Sequence, residues 1–254
     1  MFNANNFIID KVRRVTRVAL DTGLVDFTAT SIENPQVQFT GESTDKTDAQ
    51  GVLIARFATA KGVDFSGASS MFSLGLLASQ RGSEVQVASE DNKLAGETFE
   101  VLKVVNGKAT MGHTPKVVPA VVYELSDDKN IKGTIDVGAE EGDAQISGKD
   151  ITLPASFTGT QIGVLYEYET TSAVKMSDNA EEFATAGKYL VDILAADVCN
   201  PAIKRAGTLV FPKAMPDSNV SVDLTTEGNH PFSFSALKDY CADDMELCYI
   251  LFNE

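Results

Sequence analysis

The residue types best suited to chemistry are scarce in this chain, which has three cysteines and two histidines in 254 residues. A zinc site or a Cys/His nucleophilic pair would draw on such side chains. No two of them have the Cys-x2-Cys or His-x3-His spacing that is typical of zinc sites. We therefore expect buried structural thiols, and a Cys/His catalytic pair stays open as an alternative. The residues concerned are Cys199, Cys241, Cys248, His113 and His230.

Acidic residues form short clusters along the chain. None of the clusters has the alternating spacing and central glycine of a calcium-binding loop, so solvated turns are the expected structure. The chain also lacks the phosphate-binding patterns GxxxxGK[ST] and GxGxxG and the hydrolase patterns GxSxG and HExxH. The sequence therefore predicts that the protein is not an enzyme and uses no metal and no cofactor. The clusters are Asp127-Asp128, Glu140-Glu141-Asp143, Asp178-Glu181-Glu182 and Asp243-Asp244-Glu246.

The overall charge narrows the range of partners. The formal net charge is −15 at pH 7, and such a surface repels nucleic acid in static binding. Three cysteines without a secretory signal at the start indicate reduced thiols inside a cell. No apolar run approaches the roughly 18 residues that a membrane span needs, so we expect no association with a membrane.

Four basic residues stand close together near the N-terminus: Lys11, Arg13, Arg14 and Arg17. One interpretation is an arm that docks on an acidic neighbour. The other is a β-strand with one basic face, because Val12, Val18 and Leu20 could all point inward.

The stretch Val52–Arg81 predicts two extended runs and a helix. Val63 and Phe65 alternate with polar residues, as in a half-buried strand. Ser69 or Ser70 is expected to cap a helix that begins near Met71 and stops at Gly82. The polar segment before it, Gly41–Gly51, has no large apolar residue and is predicted to be an exposed loop between strands.

Short strands and turns follow, which suggests a sandwich or a barrel. Asn106-Gly107 is typical of a type I′ hairpin turn. The apolar run Lys188–Val198 predicts a further strand. Phe232–Cys241 is predicted to be a short helix, and Met245–Phe252 a closing strand.

Parts of this pattern resemble the major tail tube proteins of long-tailed bacteriophages, of the type found in phages of Gram-positive hosts. The resemblance covers about half of the chain, within 30–87 and 205–252. It is carried by the segments NPQVQFTGE, LIARFATAKGVDFSGASSMFSLGLLASQRGSE and GTLVFPKAMPDSNVSVDLTTEGNHPFSFSALKDYC.

The resemblance implies a mainly β fold: a β-sandwich or barrel of the tail tube type, with a short flanking helix and a second short C-terminal helix. The implied division of the chain is into 1–117 and 177–254, the two parts of the sandwich, and 118–176, a β-rich insertion or extension. It also implies a structural virion protein of the phage tail, assembled in the host cytoplasm.

The resemblance further implies self-association into hexameric rings that stack into a tube for genome ejection. Tape-measure, tail-tip and terminator proteins would be partners, and double-stranded DNA would pass through the lumen without specific binding. We expect the basic arm and the polar loop to supply contacts between rings. The candidate contact residues are Arg13, Arg14, Arg17, Glu42, Asp45, Lys46 and Asp48.

Two alternatives stay open at this point. One is another virion component, such as a tail terminator, a head decoration protein or a baseplate-hub protein. The other is a β-sandwich module that binds carbohydrate or acts as an adhesin, although the chain has no Trp for a sugar-binding platform.

Overall fold

The computed structural model describes residues 7–198, 200, 202–240 and 245–252, which consist mainly of β-strands. The single helix in this part is α1 (Leu74–Arg81). The strands are β1 (Phe7–Ala19), β2 (Val25–Thr30), β3 (Ile32–Thr47), β4 (Leu53–Ser69), β5 (Val85–Val87), β6 (Leu94–Lys103), β7 (Lys108–Thr110), β8 (Val121–Leu125), β9 (Ile131–Asp136), β10 (Gln145–Ser147), β11 (Asp150–Thr152), β12 (Gln161–Thr170), β13 (Val174–Met176), β14 (Gly187–Asp197), β15 (Lys204–Pro216), β16 (His230–Ala236) and β17 (Tyr249–Phe252).

The chain divides into two compact units. Unit 1 consists of residues 1–85 and 176–254, and unit 2 of residues 86–175. The chain therefore leaves unit 1 once and returns to it once, and the two crossing segments, β5 and β13, pair with each other as short strands. The division into 1–117, 118–176 and 177–254 stays a prediction.

An eight-stranded sheet forms unit 1, in the order β2-β1-β14-β15-β16-β4-β3, with β17 paired to the first half of β15. Strand β14 shows why the sequence folds this way. Tyr189, Val191 and Ile193 are buried, while Leu190 and Asp192 between them are only half-buried. This period of two places one apolar face on the core. The strand predicted from the apolar run at 188–198 is thus confirmed.

The core of unit 1 is aromatic. The ring of Phe234 stacks on those of Tyr189 and Phe65, with centroids 4.0 and 5.0 Å away, and meets Phe211 edge-on at 5.0 Å. Val15 and Phe27, from the other end of the sheet, belong to the same buried cluster. The sheet therefore curls over one core, and each fully buried side chain of this kind contributes about 1.5–3 kcal/mol.

Helix α1 packs against β2. Gly75 lets it approach closely, because a Cβ there would lie 3.3 Å from the Cβ of Phe27. Ser73 is the N-cap and its Oγ accepts from Leu76 N at 3.3 Å; the predicted cap at Ser69 or Ser70 was wrong, since β4 continues to Ser69. The predicted stop at Gly82 is confirmed by its left-handed φ of +78°.

The mainly β class is confirmed, with two differences in detail. No described strand pair joins the ends of the large sheet, so it is not closed into a barrel. The second, C-terminal helix predicted at 232–241 was wrong: His230–Ala236 is strand β16, in which Phe232 and Phe234 are buried and Ser233 and Ser235 point away. Because burial alternates with a period of two, this segment is a strand and the helical interpretation is wrong.

Unit 2 contains a four-stranded sheet, β6-β12-β8-β9, and a three-stranded sheet, β10-β11-β7. One buried cluster includes Leu102, Ile151 and Ile162 from these sheets. The hairpin predicted at Asn106-Gly107 is confirmed by φ values of +52° and +71°. No helix in the described ranges is long and apolar enough to cross a membrane.

Candidate assembly surface

Strands β3 and β4 continue past the core as a two-stranded ribbon, which we define as residues 38–61. The last core pair is Val37 opposite Phe65, and beyond it every residue of the ribbon is exposed except the half-buried Ala55. The ladder nevertheless runs to Thr47 opposite Leu53. Backbone hydrogen bonds therefore hold the ribbon together, although neither of its faces is buried within the subunit.

Asp48 organises the turn at the tip of the ribbon. Its Oδ1 accepts hydrogen bonds from the backbone N–H groups of Gln50 and Val52, at 2.9 and 2.8 Å. Gly51 supplies the positive φ, +84°, that this turn requires. The loop predicted at 41–51 is thus exposed as expected, but residues 41–47 belong to β3 and the connection itself is only 48–52.

The ribbon carries large apolar side chains in contact with water. Phe57 lies opposite Thr44, and Leu53 lies opposite Thr47. Because Thr44 and Thr47 are an odd number of residues apart on β3, these two pairs face opposite sides of the ribbon. Apolar surface is therefore present on both faces. The side chains are between half and two-thirds exposed: Phe39 65%, Val52 59%, Leu53 50%, Ile54 63% and Phe57 60%.

The charged residues of the ribbon include one ion pair. Arg56 donates two hydrogen bonds to the carboxylate of Asp45, from Nε at 2.6 Å and from Nη2 at 2.8 Å. These bonds lower the pKa of Asp45 and raise the pKa of Arg56. Glu42 and Lys46 are exposed on the same strand. The structure thus brings four of the predicted contact residues, Glu42, Asp45, Lys46 and Asp48, onto one element.

The sequence from residue 7 to residue 250 matches the model of the YomU/Tube protein family. The chain belongs to this family. Its members are phage tail tube proteins, so the resemblance inferred from the sequence is confirmed and the protein is a structural component of the virion tail. No curated protein matches the chain.

The three arginines of this tail tube protein do not form one surface. Arg17 is buried on the core side of β1, where it pairs with Asp26 and donates to the Thr185 carbonyl at 2.8 Å. Arg14 lies on the other face and pairs with Asp192. Arg13 is exposed at a register shift between Val12 and Arg14. The basic arm is thus part of a strand, and the inter-ring role of its arginines stays a prediction.

Of the residues considered for zinc chemistry, the structure describes His113, His230 and Cys248. His230 is fully buried; its Nε2 lies 2.9 Å from Gln80 Oε1, and burial lowers its pKa. Cys248 is a half-buried free thiol whose pKa is raised by burial and then by Glu246. Cys199 and Cys241 lie outside the described residues. Within those residues, no three His, Cys, Asp or Glu side chains form a group that could hold a metal ion.

Sequence analysis missed the apolar side chains of the ribbon, because a run such as VLIARF normally indicates a buried strand. The signal that could have identified them is the polar segment on the partner strand. A strand pair in which one strand has no large apolar residue has little apolar surface with which to pack on a core.

Proposed function

We propose that this chain is the subunit of hexameric rings that stack into the tail tube, the conduit for genome ejection. The observation that carries the proposal is the ribbon. It is a two-stranded element with apolar side chains on both faces and with no partner among the described residues. An isolated hairpin is marginally stable in water, and exposed apolar patches mark surfaces that other proteins cover.

The edges of the ribbon support the same proposal. β3 is the last strand of the large sheet, and β4 pairs with β16 only between Asp64 and Ser69. Both strands of the ribbon therefore keep one unpaired edge, which is a hydrogen-bonding template for another chain. One heterologous contact that closes by rotation makes a ring, and a second one makes a stack. Neighbouring subunits are the occupants that we propose for these edges and faces.

The charge of the subunit suits a conduit. Six subunits with a net charge of −15 each would repel DNA phosphates, so the genome would slide without sticking. In this proposal the protein has no catalytic role, and it assembles in the host cytoplasm. Tape-measure, tail-tip and terminator proteins are its partners within the tail.

Negative-stain electron microscopy of the full chain at high concentration, with sedimentation at low concentration, tests the proposal. We expect the wild type to form hollow rings or rods of uniform width, with a tail-tip complex added as initiator if needed. Phe57→Asp and Ile54→Asp should stay monomeric with an unchanged free energy of unfolding, because both side chains are exposed in the monomer. Leu224→Asp is the matched control, since Leu224 is 87% exposed outside the ribbon.

Two outcomes would contradict the proposal. The first is a wild type that stays monomeric even with the tail-tip complex. The second is a pair of ribbon variants that assemble as readily as the Leu224→Asp control.

A further inference from the structure

The first half of β1 has an edge that no described strand covers. On one side β1 pairs with β14 along its whole length, and on the other side β2 pairs with it only from Arg14 to Val18. The backbone groups of residues 8–13 that point to this second side therefore have no ladder partner among the described residues. An uncovered strand edge is a hydrogen-bonding template for another chain.

Exposed apolar side chains accompany this edge. Ile8 is 59% exposed and Ile9 is 56% exposed. Because successive residues of a strand point to opposite faces, apolar surface is present on both faces of β1 here. The ribbon has the same combination of an unpaired edge and exposed apolar side chains on both faces. Exposed apolar surface of this kind marks contacts with other chains.

The formal charges show which strand of the ribbon is complementary to β1. Residues 8–13 of β1 carry a formal charge of +1, residues 38–47 of β3 carry −1, and residues 53–61 of β4 carry +2. Opposite charges favour a contact and like charges oppose it, so the edge of β3 is the complementary one. The charged residues are Asp10, Lys11 and Arg13 in β1, Glu42, Asp45 and Lys46 in β3, and Arg56 and Lys61 in β4.

Both edges keep charges that the subunit itself does not pair. Asp10 already accepts a hydrogen bond from Lys204 Nζ at 2.7 Å. Lys11 and Arg13 are exposed, and neither has an ion-pair partner among the described residues. Glu42 is exposed on β3 and likewise has no ion-pair partner in that part of the chain. Two cations on one edge thus match a carboxylate on the other.

We propose that the free edge of β1 at residues 8–13 pairs, backbone to backbone, with the free edge of β3 in the ribbon of a second copy. Charged residues on an edge deter indiscriminate pairing, and opposite charges select this partner. The contact is heterologous, because two different edges meet, and such contacts propagate. The inference rests on the proposed function and names the surface that receives the ribbon.

Charge reversal and rescue test the pairing in the full chain. We expect Arg13→Glu and Glu42→Arg each to raise the concentration needed for assembly at least about fivefold, because like charges then meet. The combination of both substitutions should return it to within about twofold of the wild type. Lys132→Glu and Glu141→Arg are the matched controls, because both residues are exposed in unit 2 and the substitutions make the same changes in charge. Circular dichroism verifies the fold of each variant.

Hydrogen–deuterium exchange tests the backbone part of the contact. In the assembled wild type, the edge amides of residues 8–13 and 38–47 should exchange at least about tenfold more slowly than in the Phe57→Asp variant, because pairing places them in a ladder. Strand β6, at the end of the four-stranded sheet of unit 2, is the reference and should change less.

The outcomes separate the two proposals. If the wild type assembles while Arg13→Glu and Glu42→Arg behave like their controls, or if their combination is not rescued, the edge pairing is overturned and the proposed function stands. Unchanged exchange at residues 8–13 after assembly overturns the pairing as well. Rescue of Arg13→Glu by Glu97→Arg on β6 would assign the β1 edge to unit 2 of the second copy and would also overturn it. Failure of the wild type to assemble with the tail-tip complex contradicts the proposed function itself, and this is seen before any variant is compared.

Discussion

Asp45 and Arg56 face each other across the ribbon and share two parallel hydrogen bonds of 2.6 and 2.8 Å. This bidentate arrangement is the most directional form of an ion pair. Both side chains are well exposed, at 39% and 62%, and solvent screens pairs of this kind. Their effect is therefore local: they hold the two strands in register where no core packing does so.

The first prediction concerns this pair. Asp45→Asn should speed amide hydrogen exchange in the ribbon between residues 43 and 58 and leave the midpoint of denaturation unchanged. Hydrogen–deuterium exchange measures this effect when the substitution is made in the Phe57→Asp variant, which we expect to be monomeric. Glu42→Gln is the control, because Glu42 lies on the other face of the same strand. The Arg56 hydrogen bonds lower the pKa of Asp45, so its contribution is present above pH 3.8 and is lost as the pH falls through the folded-state pKa. Equal exchange rates in the Asp45→Asn and Glu42→Gln variants would contradict the prediction.

The second prediction concerns the buried pair of Arg17 and Asp26, whose side chains are 6% and 29% exposed. Asp26→Asn leaves a buried guanidinium without its counter-ion and should cost roughly 2–4 kcal/mol. Arg17→Met removes the buried charge, while Asp26 can turn to water, so it should cost less than about 2 kcal/mol. Urea denaturation of both variants measures the order, and the reverse order would contradict this account.

The third prediction concerns His230. Burial lowers its pKa below 6.5, so below that pH the unfolded chain takes up the proton before the folded chain does. The stability of unit 1 should be full above pH 6.5 and should decrease as the pH falls from 6.5 through the folded-state pKa. Urea denaturation between pH 5 and pH 8 tests this. His230→Gln should lose that pH dependence, whereas the exposed His113→Gln should keep it.

The fourth prediction separates backbone strain from steric overlap at two glycines. Gly82 has φ +78° and a Cβ there would overlap the backbone of Phe183, whereas Gly23 has φ +70° with nothing within 4 Å. Gly23→Ala should cost about 1 kcal/mol through strain alone. Gly82→Ala should cost clearly more, because the helix must move away from Phe183. Thermal denaturation of both variants gives the difference, and equal costs would rule out the overlap.

Elements with one buried face could be predicted from the sequence. Strands could be identified from the alternation of Val63 and Phe65 with polar residues and from the apolar run of β14. A regular period of apolar residues indicates that one face of the element is buried. Gly82 and Asn106-Gly107 were identifiable because each local conformation requires a positive φ. The resemblance to tail tube proteins likewise rested on stretches of this kind.

The features that sequence reasoning missed depend on tertiary context. Residues 41–47 have no apolar pattern, yet they are strand because β4 supplies hydrogen-bonding partners. Phe232 and Phe234 belong to a strand because every second residue of this segment packs into the core of unit 1. Arg17 resembles its exposed neighbours in sequence, and only the position of Asp26 across the β1–β2 turn explains its burial.

The pairing of β5 with β13 has a consequence for how the two units are connected along the chain. Because the exit from unit 1 and the return to it lie side by side, the whole of residues 86–175 is an excursion from one point on the scaffold. A tight turn could take its place, and a different domain could be grafted there, without breaking any strand of the large sheet. Unit 2 is thus a continuous insertion into a fold whose own large sheet is made entirely by the flanking segments.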